Sequence, residues 1–222
     1  MKQHEAVIET IERLGGIATL GQLNQEVFKI EDCEWRTKTP FATIRRIVQL
    51  RPEIYKIKPG LYGLVSHRQR NEAKGILAET AANKDTGAIK ESNHTYYQGL
   101  LLTLGKLRKH DTFAPNQDKN RKFLDAPLKD VRTLDSLPAF SYEQFVDRSR
   151  TIDVIWFNER MMPHSFYEVE SSTNIDNSLG KFHDLQDFYV RMFIVADKAR
   201  KAEYEMKLNR GYFKDVKSRV QF

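Results

Sequence analysis

The sequence contains a single cysteine, Cys33, which excludes an internal disulfide framework and a cysteine-rich zinc site. No apolar run approaches the length of about 20 residues that is needed to span a bilayer. The first residues, Met1 to Glu5, lead into an amphipathic segment rather than an apolar one, so no signal peptide is expected. These absences predict a cytoplasmic protein without a membrane partner.

The composition is that of a folded, basic protein. Of the 222 residues, 40% are hydrophobic and 30% are charged, which predicts a globular chain with a well-solvated surface. The 36 Lys and Arg residues outnumber the 30 Asp and Glu residues, which gives a formal charge of +6. This excess favours a polyanionic partner, because Lys and Arg release counterions from phosphates.

The first 66 residues show three helical patterns followed by a hairpin. Helices are predicted over residues 4–14, 20–28 and 41–50, and we expect the hydroxyl of Thr39 to cap the third. Two short alternating runs, 54–57 and 61–64, flank the turn Lys58-Pro59-Gly60. This order predicts a winged-helix domain over 1–66, although the periodicity also fits other small helical domains.

The rest of the chain is predicted to form a polar linker over 67–90 and an α/β domain over 91–222. In the α/β domain, the patterns predict helices over 93–109 and 175–190 and strands over 152–158, 165–170 and 192–196. The segment Val220 to Phe222 is expected to form a final edge strand. Ser171, Ser172, Thr173 and Asn174 are expected to cap the helix that follows them.

The predicted hairpin at 152–170 carries the strongest chemical signal. If its turn is centred between Arg160 and Met161, Asp153 lies opposite Glu168. Glu168 and Glu170 then share one face of their strand, while Val169 points into the core. Like charges on adjacent strands repel, so this arrangement is unfavourable unless a cation is present.

Carboxylate oxygens without nearby cysteine or histidine favour Mg²⁺ or Mn²⁺ over zinc. Such ions commonly promote hydrolysis of phosphate esters. The pattern therefore predicts a metal site formed by Asp153, Glu168 and Glu170, with phosphodiester hydrolysis as its chemistry. The alternative is that the three carboxylates lie on the solvated face of an amphipathic sheet.

The sequence resembles the PD-(D/E)XK nuclease superfamily, which includes most type II restriction endonucleases. The resemblance covers residues 91–197 and rests on Ile152-Asp153-Val154, on Glu168-Val169-Glu170 and on Glu91 before the helix that contains Tyr96 to Leu101. It implies a mixed sheet flanked by helices, metal ligation by Asp153 and Glu168, and a supporting role for Glu91. Glu170 stands where the family usually has lysine, although some restriction enzymes of the family also use glutamate at that position. Lys181 could substitute for that lysine, but a solvated helix lysine is the preferred interpretation.

The N-terminal segment resembles the HARE-type winged helix in Ala6-Val7-Ile8, Gly15-Gly16, the segment from Trp35 to Pro40, and Tyr62-Gly63-Leu64. In a winged helix the third helix normally enters the major groove. We therefore expect a set of polar and basic residues on and beside this helix to contact DNA: Arg36, Lys38, Thr43, Arg45, Arg46, Gln49, Lys56 and Lys58.

Other polar groups have less specific interpretations. Two basic segments, Lys106 to His110 and Lys119 to Lys122, are expected either to cradle phosphates next to the scissile bond or to decorate a helix end. His94, His164 and His183 lack a metal-ligand spacing, which favours surface or structural roles.

Together these patterns predict a Mg²⁺-dependent or Mn²⁺-dependent DNA endonuclease of a restriction or defence system. Double-stranded DNA is the expected substrate, and a homodimer is expected because a double-strand break generally requires two active centres. A cognate methyltransferase is a further expected partner. The alternative is a non-catalytic winged-helix regulator whose C-terminal domain dimerises or senses a ligand.

Overall fold

The computed structural model describes residues 1–171 and 174–222, which fold as two compact units, Met1–Ile89 and Lys90–Phe222. The helices, in chain order, are α1 Gln3–Arg13, α2 Leu20–Glu26, α3 Pro40–Leu50, α4 Arg68–Ala73, α5 Gly87–Leu107, α6 Leu128–Val131, α7 Glu143–Ser149, α8 Ile175–Asp184 and α9 Lys201–Leu208. The strands are β1 Ile17–Thr19, β2 Ile54–Lys58, β3 Leu61–Leu64, β4 Asp111–Phe113, β5 Lys122–Phe123, β6 Ala126–Pro127, β7 Val154–Phe157, β8 Pro163–Glu170, β9 Arg191–Ala196 and β10 Val220–Gln221.

The first unit packs α1, α2 and α3 against a three-stranded sheet of order β1-β3-β2. The predicted hairpin is confirmed, because β2 and β3 pair antiparallel, while β1 was not predicted. Helix α1 ends at Arg13 and is soon followed by Gly15 and Gly16, whose φ values of 87° and 90° are readily adopted only by glycine. Thr39 precedes α3, but its hydroxyl makes no capping hydrogen bond, so the expected Thr39 cap is wrong.

The second unit is built on a mixed five-stranded sheet of order β10-β9-β8-β7-β4. Strands β4, β7 and β8 pair antiparallel, whereas β8, β9 and β10 pair parallel. The expected terminal edge strand is confirmed as β10. The mixed α/β architecture with a sheet flanked by helices is therefore as the sequence predicts.

Helices cover both faces of this sheet. On one face, Phe166 and Met192 belong to a core that includes Leu179 and Phe182 from α8 and Tyr204 from α9. On the other face, the Trp156 indole donates a hydrogen bond to the Leu101 carbonyl of α5 at 3.0 Å. Gly105 allows α5 to approach so closely that a Cβ there would lie 2.8 Å from Trp156 Nε1.

Several predicted boundaries differ from the structure. Helix α5 begins at Gly87, so Glu91 lies inside the helix rather than before it. Asp153 immediately precedes β7 instead of lying within it. Helix α8 ends at Asp184, six residues before the predicted end at 190. Asn174 caps α8 by accepting a hydrogen bond from the Asp176 amide at 3.2 Å.

The predicted cap also included Ser172 and Thr173, which lie outside the described residues. Within the described ranges, no helix is long and apolar enough to cross a membrane.

Candidate active site

The β7–β8 hairpin brings Asp153 next to Glu168. Val154 pairs with Tyr167 and Ile155 with Phe166, which is the predicted register and places Asp153 opposite Glu168. The Asp153 amide donates to Glu168 Oε1 at 3.3 Å. The Val169 amide donates to Asp153 Oδ2 at 2.8 Å, which fixes the Asp153 carboxylate against the end of β8.

Glu168 and Glu170 lie on the same face of β8, as side-chain alternation requires. That face is not solvated: Glu168 is 2% exposed and Glu170 is 3% exposed, because α8 covers both. The Ser178 hydroxyl of α8 lies 3.0 Å from Glu168 Oε2 and also contacts Glu170 Oε1. The solvated-face interpretation of these two glutamates is therefore wrong. Val169 is buried on the opposite face, away from the main core of this unit.

Lys181 lies one turn beyond Ser178 on α8 and contacts the same glutamate. Its ammonium donates to Glu168 Oε1 at 3.0 Å, to Glu168 Oε2 at 2.8 Å and to the Thr151 carbonyl at 2.6 Å. The Lys181 side chain is 20% exposed. The preferred interpretation of Lys181 as a solvated helix lysine is therefore wrong, because packing of α8 against β8 turns it toward Glu168.

Glu170 has a cationic neighbour of its own. Arg200 Nη1 lies 3.7 Å from Glu170 Oε2 and donates to the Glu170 carbonyl at 3.2 Å. Arg200 also pairs with Glu203 at 3.0 Å. Glu170 is thus held between the Ser178 hydroxyl and the Arg200 guanidinium.

The proton affinity of Glu168 reflects its crowded surroundings. Burial raises the pKa of Glu168 above its ordinary value, and the negative charge of Asp153 raises it further. Lys181 and Ser178 lower this pKa by stabilising the carboxylate, but burial prevails. The charged form of Glu168 is therefore costly to bury and would gain from an additional cation.

Helix α5 supplies two polar side chains that contact Asp153. His94 Nε2 lies 3.2 Å from Asp153 Oδ2, and the buried Gln98 side chain donates to the Asp153 carbonyl at 3.3 Å. Burial lowers the pKa of His94, but its hydrogen bond to Asp153 and the nearby carboxylate charges raise it by more. The structural role predicted for His94 thus includes a direct contact with Asp153.

Glu91 lies one turn before His94, but its side chain is 62% exposed and pairs with Arg121 at 3.4 Å. Arg121 also pairs with the buried carboxylate of Asp118 at 3.2 Å. Asp118 in turn accepts a hydrogen bond from Gln98 at 3.0 Å. Among the described residues, Glu91 is thus linked to Asp153 through Arg121, Asp118 and Gln98.

The carboxylates fit a hard divalent cation as a pair rather than as a trio. Among residues 1–171 and 174–222, no three His, Cys, Asp or Glu side chains are close enough to hold a metal ion together. Asp153 and Glu168 are adjacent oxygen donors, and Mg²⁺ usually takes one or two carboxylates together with water and substrate phosphate oxygens. The buried Gln98 Oε1 lacks a hydrogen-bond partner among the described residues, so an additional polar group would be accommodated nearby.

Most of the residues predicted to contact DNA are exposed on the first unit. Arg36, Thr43 and Arg46 line a groove of about 670 Å³ that also includes Thr39 and Arg51. Thr43 is half-buried and donates to the Thr39 carbonyl at 3.2 Å. The others that remain on the surface are Lys38, Arg45, Gln49 and Lys56.

Lys58 differs from this group because it is 2% exposed. Burial lowers the pKa of its ammonium to about 8, and the charge of Glu79 opposes this shift. The expectation that Lys58 is a surface cation is therefore wrong, and it does not belong with the DNA-contacting residues.

The two predicted basic segments lie in different surroundings. Arg121 joins the Asp118 network beside the carboxylates, whereas residues 106–110 lie at the carboxyl end of α5, near Trp156. His110 stacks on His164 with ring centroids 4.3 Å apart, and the His183 ring packs against Tyr212 in a tilted arrangement with centroids 4.5 Å apart. The structural roles predicted for His164 and His183 agree with these ring contacts.

Sequence reasoning did not identify Gln98, Asp118 or Ser178 as parts of this site. Glu91, His94 and Gln98 are spaced by three and four residues, which indicates one face of a helix and could have identified His94 and Gln98. Ser178 and Lys181 show the same three-residue spacing on α8. Asp118 lies between β4 and β5, and the local sequence gives no signal for its contact with Gln98.

One protein-family model matches the part of the chain that carries this site. Residues 76–222, which include the carboxylates, α5 and α8, match the family model described as the type II restriction enzyme NmeDI C-terminal domain. The chain matches no curated protein and no solved structure.

Proposed function

We propose that this chain, which belongs to the family of the type II restriction enzyme NmeDI C-terminal domain, is a restriction endonuclease that hydrolyses DNA with Mg²⁺ or Mn²⁺. The observation that carries the proposal is the pairing of the half-buried Asp153 with the buried Glu168, with the Lys181 ammonium on both Glu168 oxygens. In the PD-(D/E)XK pattern, two carboxylates and a lysine form the catalytic group. Here the lysine comes from α8 instead of position 170.

Asp153 and Glu168 are the residues that would hold the metal ion. When bound, a divalent ion polarises the phosphoryl oxygen, lowers the pKa of a bound water and neutralises charge on the leaving oxygen. His94 and the Val169 amide orient the Asp153 carboxylate, and Ser178 orients Glu168. Oriented ligands support tight metal binding, because hydrogen-bonded partners of the ligands fix their geometry.

Lys181 would position the attacking water and stabilise negative charge that develops on the phosphoryl group. Its ammonium carries three donors, which in the present structure go to Glu168 and to the Thr151 carbonyl. A donor released from Glu168 could bind a water or a phosphate oxygen without moving the helix. Lys181 would therefore supply the hydrogen-bond donors that lysine at position 170 would otherwise provide. Glu170 cannot supply them, because an ionised carboxylate only accepts hydrogen bonds.

Glu170 and Glu91 have supporting roles in this scheme. The contacts of Glu170 with Ser178 and Arg200 support a role in orienting Ser178 and the end of β8 rather than in direct ligation. Glu91 holds Arg121 close to Asp118, at the outer edge of the carboxylate cluster.

The first unit would recognise DNA as a winged helix. The order of three helices and a hairpin, and the exposed basic and polar residues on and beside α3, support this assignment. Arg45, Arg46 and Gln49 would reach base edges or phosphates, and Arg36, Lys38 and Lys56 would contact the backbone. The enzyme would act as a homodimer on double-stranded DNA, alongside a cognate methyltransferase.

One observation favours the rival function, a non-catalytic DNA-binding regulator. Lys181 and Arg200 already place a cation beside Glu168 and beside Glu170. In a regulator, these ion pairs would be permanent structural contacts. In a nuclease, Lys181 must leave at least one Glu168 oxygen to the metal ion.

The test is cleavage of plasmid and phage DNA, both modified and unmodified, by wild type and by Asp153→Asn in Mg²⁺ or Mn²⁺. We expect wild type to cut at least one template and Asp153→Asn to cut none while still shifting DNA on a gel. If wild type and Asp153→Asn bind DNA equally and neither cuts any template, the result would instead support the regulator.

A further inference from the structure

The end of the sheet opposite the carboxylates carries four exposed cations, Arg108, Lys109, Arg160 and Arg191, which we call the distal basic patch. Arg108 and Lys109 follow α5, Arg160 lies in the β7–β8 turn, and Arg191 begins β9. Within the described parts of the chain, none of the four forms an ion pair with a carboxylate. The patch therefore gathers unpaired positive charge from three separate elements.

The patch lies at a distance from the carboxylates that matches a few base pairs of DNA. Arg191 pairs with Ser165, three positions before Glu168 on β8, which corresponds to roughly 10 Å along the strand. Lys109 is fifteen residues beyond His94 along α5, or roughly 20 Å of helix. Phosphates on one strand of a duplex are about 3.4 Å apart along the axis, so this span covers several of them.

Three cations of the patch line a groove. Arg108, Lys109 and Arg160 line a groove of about 390 Å³, together with the single carboxylate of Glu159. The Arg108 guanidinium lies 5.8 Å from the centre of the Trp156 ring, and the ring of His110 stacks on Trp156 at 5.5 Å. The buried Trp156 ring thus restrains the Arg108 side chain, which reduces the conformational entropy that Arg108 loses when it binds an anion.

Lys109 adds an independent observation, because its backbone is in the left-handed region with φ of 61°. The amide of His110 donates to the Gly105 carbonyl and the amide of Lys109 to the Lys106 carbonyl, which is the Schellman arrangement that ends a helix. Glycine is the usual residue at this position, since a side chain there is unfavourable. The chain instead has a lysine at a position where glycine would relieve backbone strain.

Interaction with the helix dipole alone does not explain the patch. Cations at the carboxyl end of α5 are favoured by the dipole, but this applies only to Arg108 and Lys109. Arg160 and Arg191 belong to a hairpin turn and a strand, where no helix end attracts them. A shared anionic ligand accounts for all four.

We propose that the distal basic patch binds phosphates of the same DNA duplex that lies at Asp153 and Glu168, outside the cleaved step. This inference rests on the proposed function, because it assumes that the duplex lies over this unit. Repeating phosphates complement several cations spread over one end of the sheet, and Lys and Arg gain affinity by releasing counterions from them. The patch would set affinity and orientation rather than take part in hydrolysis.

The test measures binding of a fluorescein-labelled duplex of about 30 base pairs to the full chain, with Ca²⁺ in place of Mg²⁺, over a range of salt concentrations. Lys109→Gly and Arg160→Gln should each weaken binding several-fold and reduce the slope of log affinity against log salt by about 0.9 for each lost phosphate contact. Lys109→Gly should keep or raise the melting temperature, which separates lost affinity from lost folding.

Two matched variants make the prediction directional. Glu159→Gln removes the negative charge from the same groove and should strengthen binding, whereas Lys201→Gln removes an exposed cation of α9 that lies 3.9 Å from Glu205 and should change little.

Equal salt slopes for Arg160→Gln, Lys201→Gln and wild type would overturn the patch. A variant that binds fewer duplexes per protein chain but keeps the wild-type salt slope would also overturn it. That result would mean that the patch binds a second duplex rather than the one at Asp153 and Glu168. Cleavage that depends on Asp153 would survive either result, so failure of the patch and failure of the nuclease are distinguishable.

Discussion

The two ends of the five-stranded sheet use charge in opposite ways. At one end, Glu168 and Glu170 are almost fully buried, and each has a cation and a hydroxyl beside it. At the other end, cations such as Arg160 and Arg191 are exposed and lack carboxylate partners within the described residues. Burying charge is unfavourable unless partners compensate, whereas exposed charge carries little such cost. We therefore expect substitutions at the buried end to affect both folding and activity, and those at the exposed end to affect binding alone.

The largest effect should come from Lys181→Met, which removes the ammonium from the buried end. We expect activity to fall by roughly 10²-fold or more, as when a preorganised donor is removed from a reaction centre. Stability should fall as well, by about 3–5 kcal/mol, because Glu168 would lose its partner in a buried pair. Cleavage kinetics and urea unfolding measure the two effects.

Lys181→Arg provides a matched control for that prediction. It should retain much of the stability, because the positive charge remains beside Glu168. Full activity of Lys181→Met in a folded protein would contradict the role assigned to Lys181.

Glu170→Gln should have the next largest effect on activity. It keeps the shape of the side chain but removes the charge that faces Ser178 and Arg200. We expect metal affinity or activity to fall by roughly 10-fold to 100-fold, as for residues that orient metal ligands. Loss of Mn²⁺ binding as complete as in Asp153→Asn would instead assign Glu170 as a direct ligand.

Gly105→Ala tests the packing that links the two ends through α5. A Cβ at this position would lie 2.4 Å from Thr112 Cγ2 and 2.8 Å from Trp156 Nε1, so the neighbouring side chains must shift. Overpacking of this kind destabilises by about 1–3 kcal/mol, which exceeds the gain of ~1 kcal/mol from alanine in a helix. Thermal unfolding should show the loss, and Gly180→Ala in α8, where a Cβ meets no atom within 4 Å, is the control.

The smallest effect is expected for Arg191→Gln at the exposed end. DNA affinity should fall a few-fold, while the free energy of unfolding should stay within about 0.5 kcal/mol of wild type, as for most surface substitutions. A large loss of stability would show that Arg191 has a structural role and would weaken the contrast between the two ends.

The contrast also explains what could be predicted from the sequence. The register of the β7–β8 hairpin follows from strand alternation and a short turn, so the approach of Asp153 to Glu168 was predictable. The contact of Lys181 with Glu168 depends on how α8 packs against β8, and helical spacing alone could not distinguish it from a solvated lysine. Likewise, residues 106–110 form a visible basic run, but their distance from Asp153 depends on the direction of α5 along β7.

In the first unit, the helix and hairpin patterns were local and largely predictable. The burial of Lys58 was not, because the pairing of β2 with β3 shifts between Lys56 and Lys58, and strand alternation does not predict the face of a side chain across such a shift. Lys58 is therefore buried, whereas Lys56, two positions earlier on the same strand, is exposed.

The most direct test of the account is a crystal structure of the protein soaked with Mn²⁺. We predict an anomalous manganese peak bonded to both Asp153 and Glu168, with the Lys181 ammonium displaced from at least one Glu168 oxygen. An unchanged Lys181–Glu168 pair with no manganese beside Asp153 would contradict it.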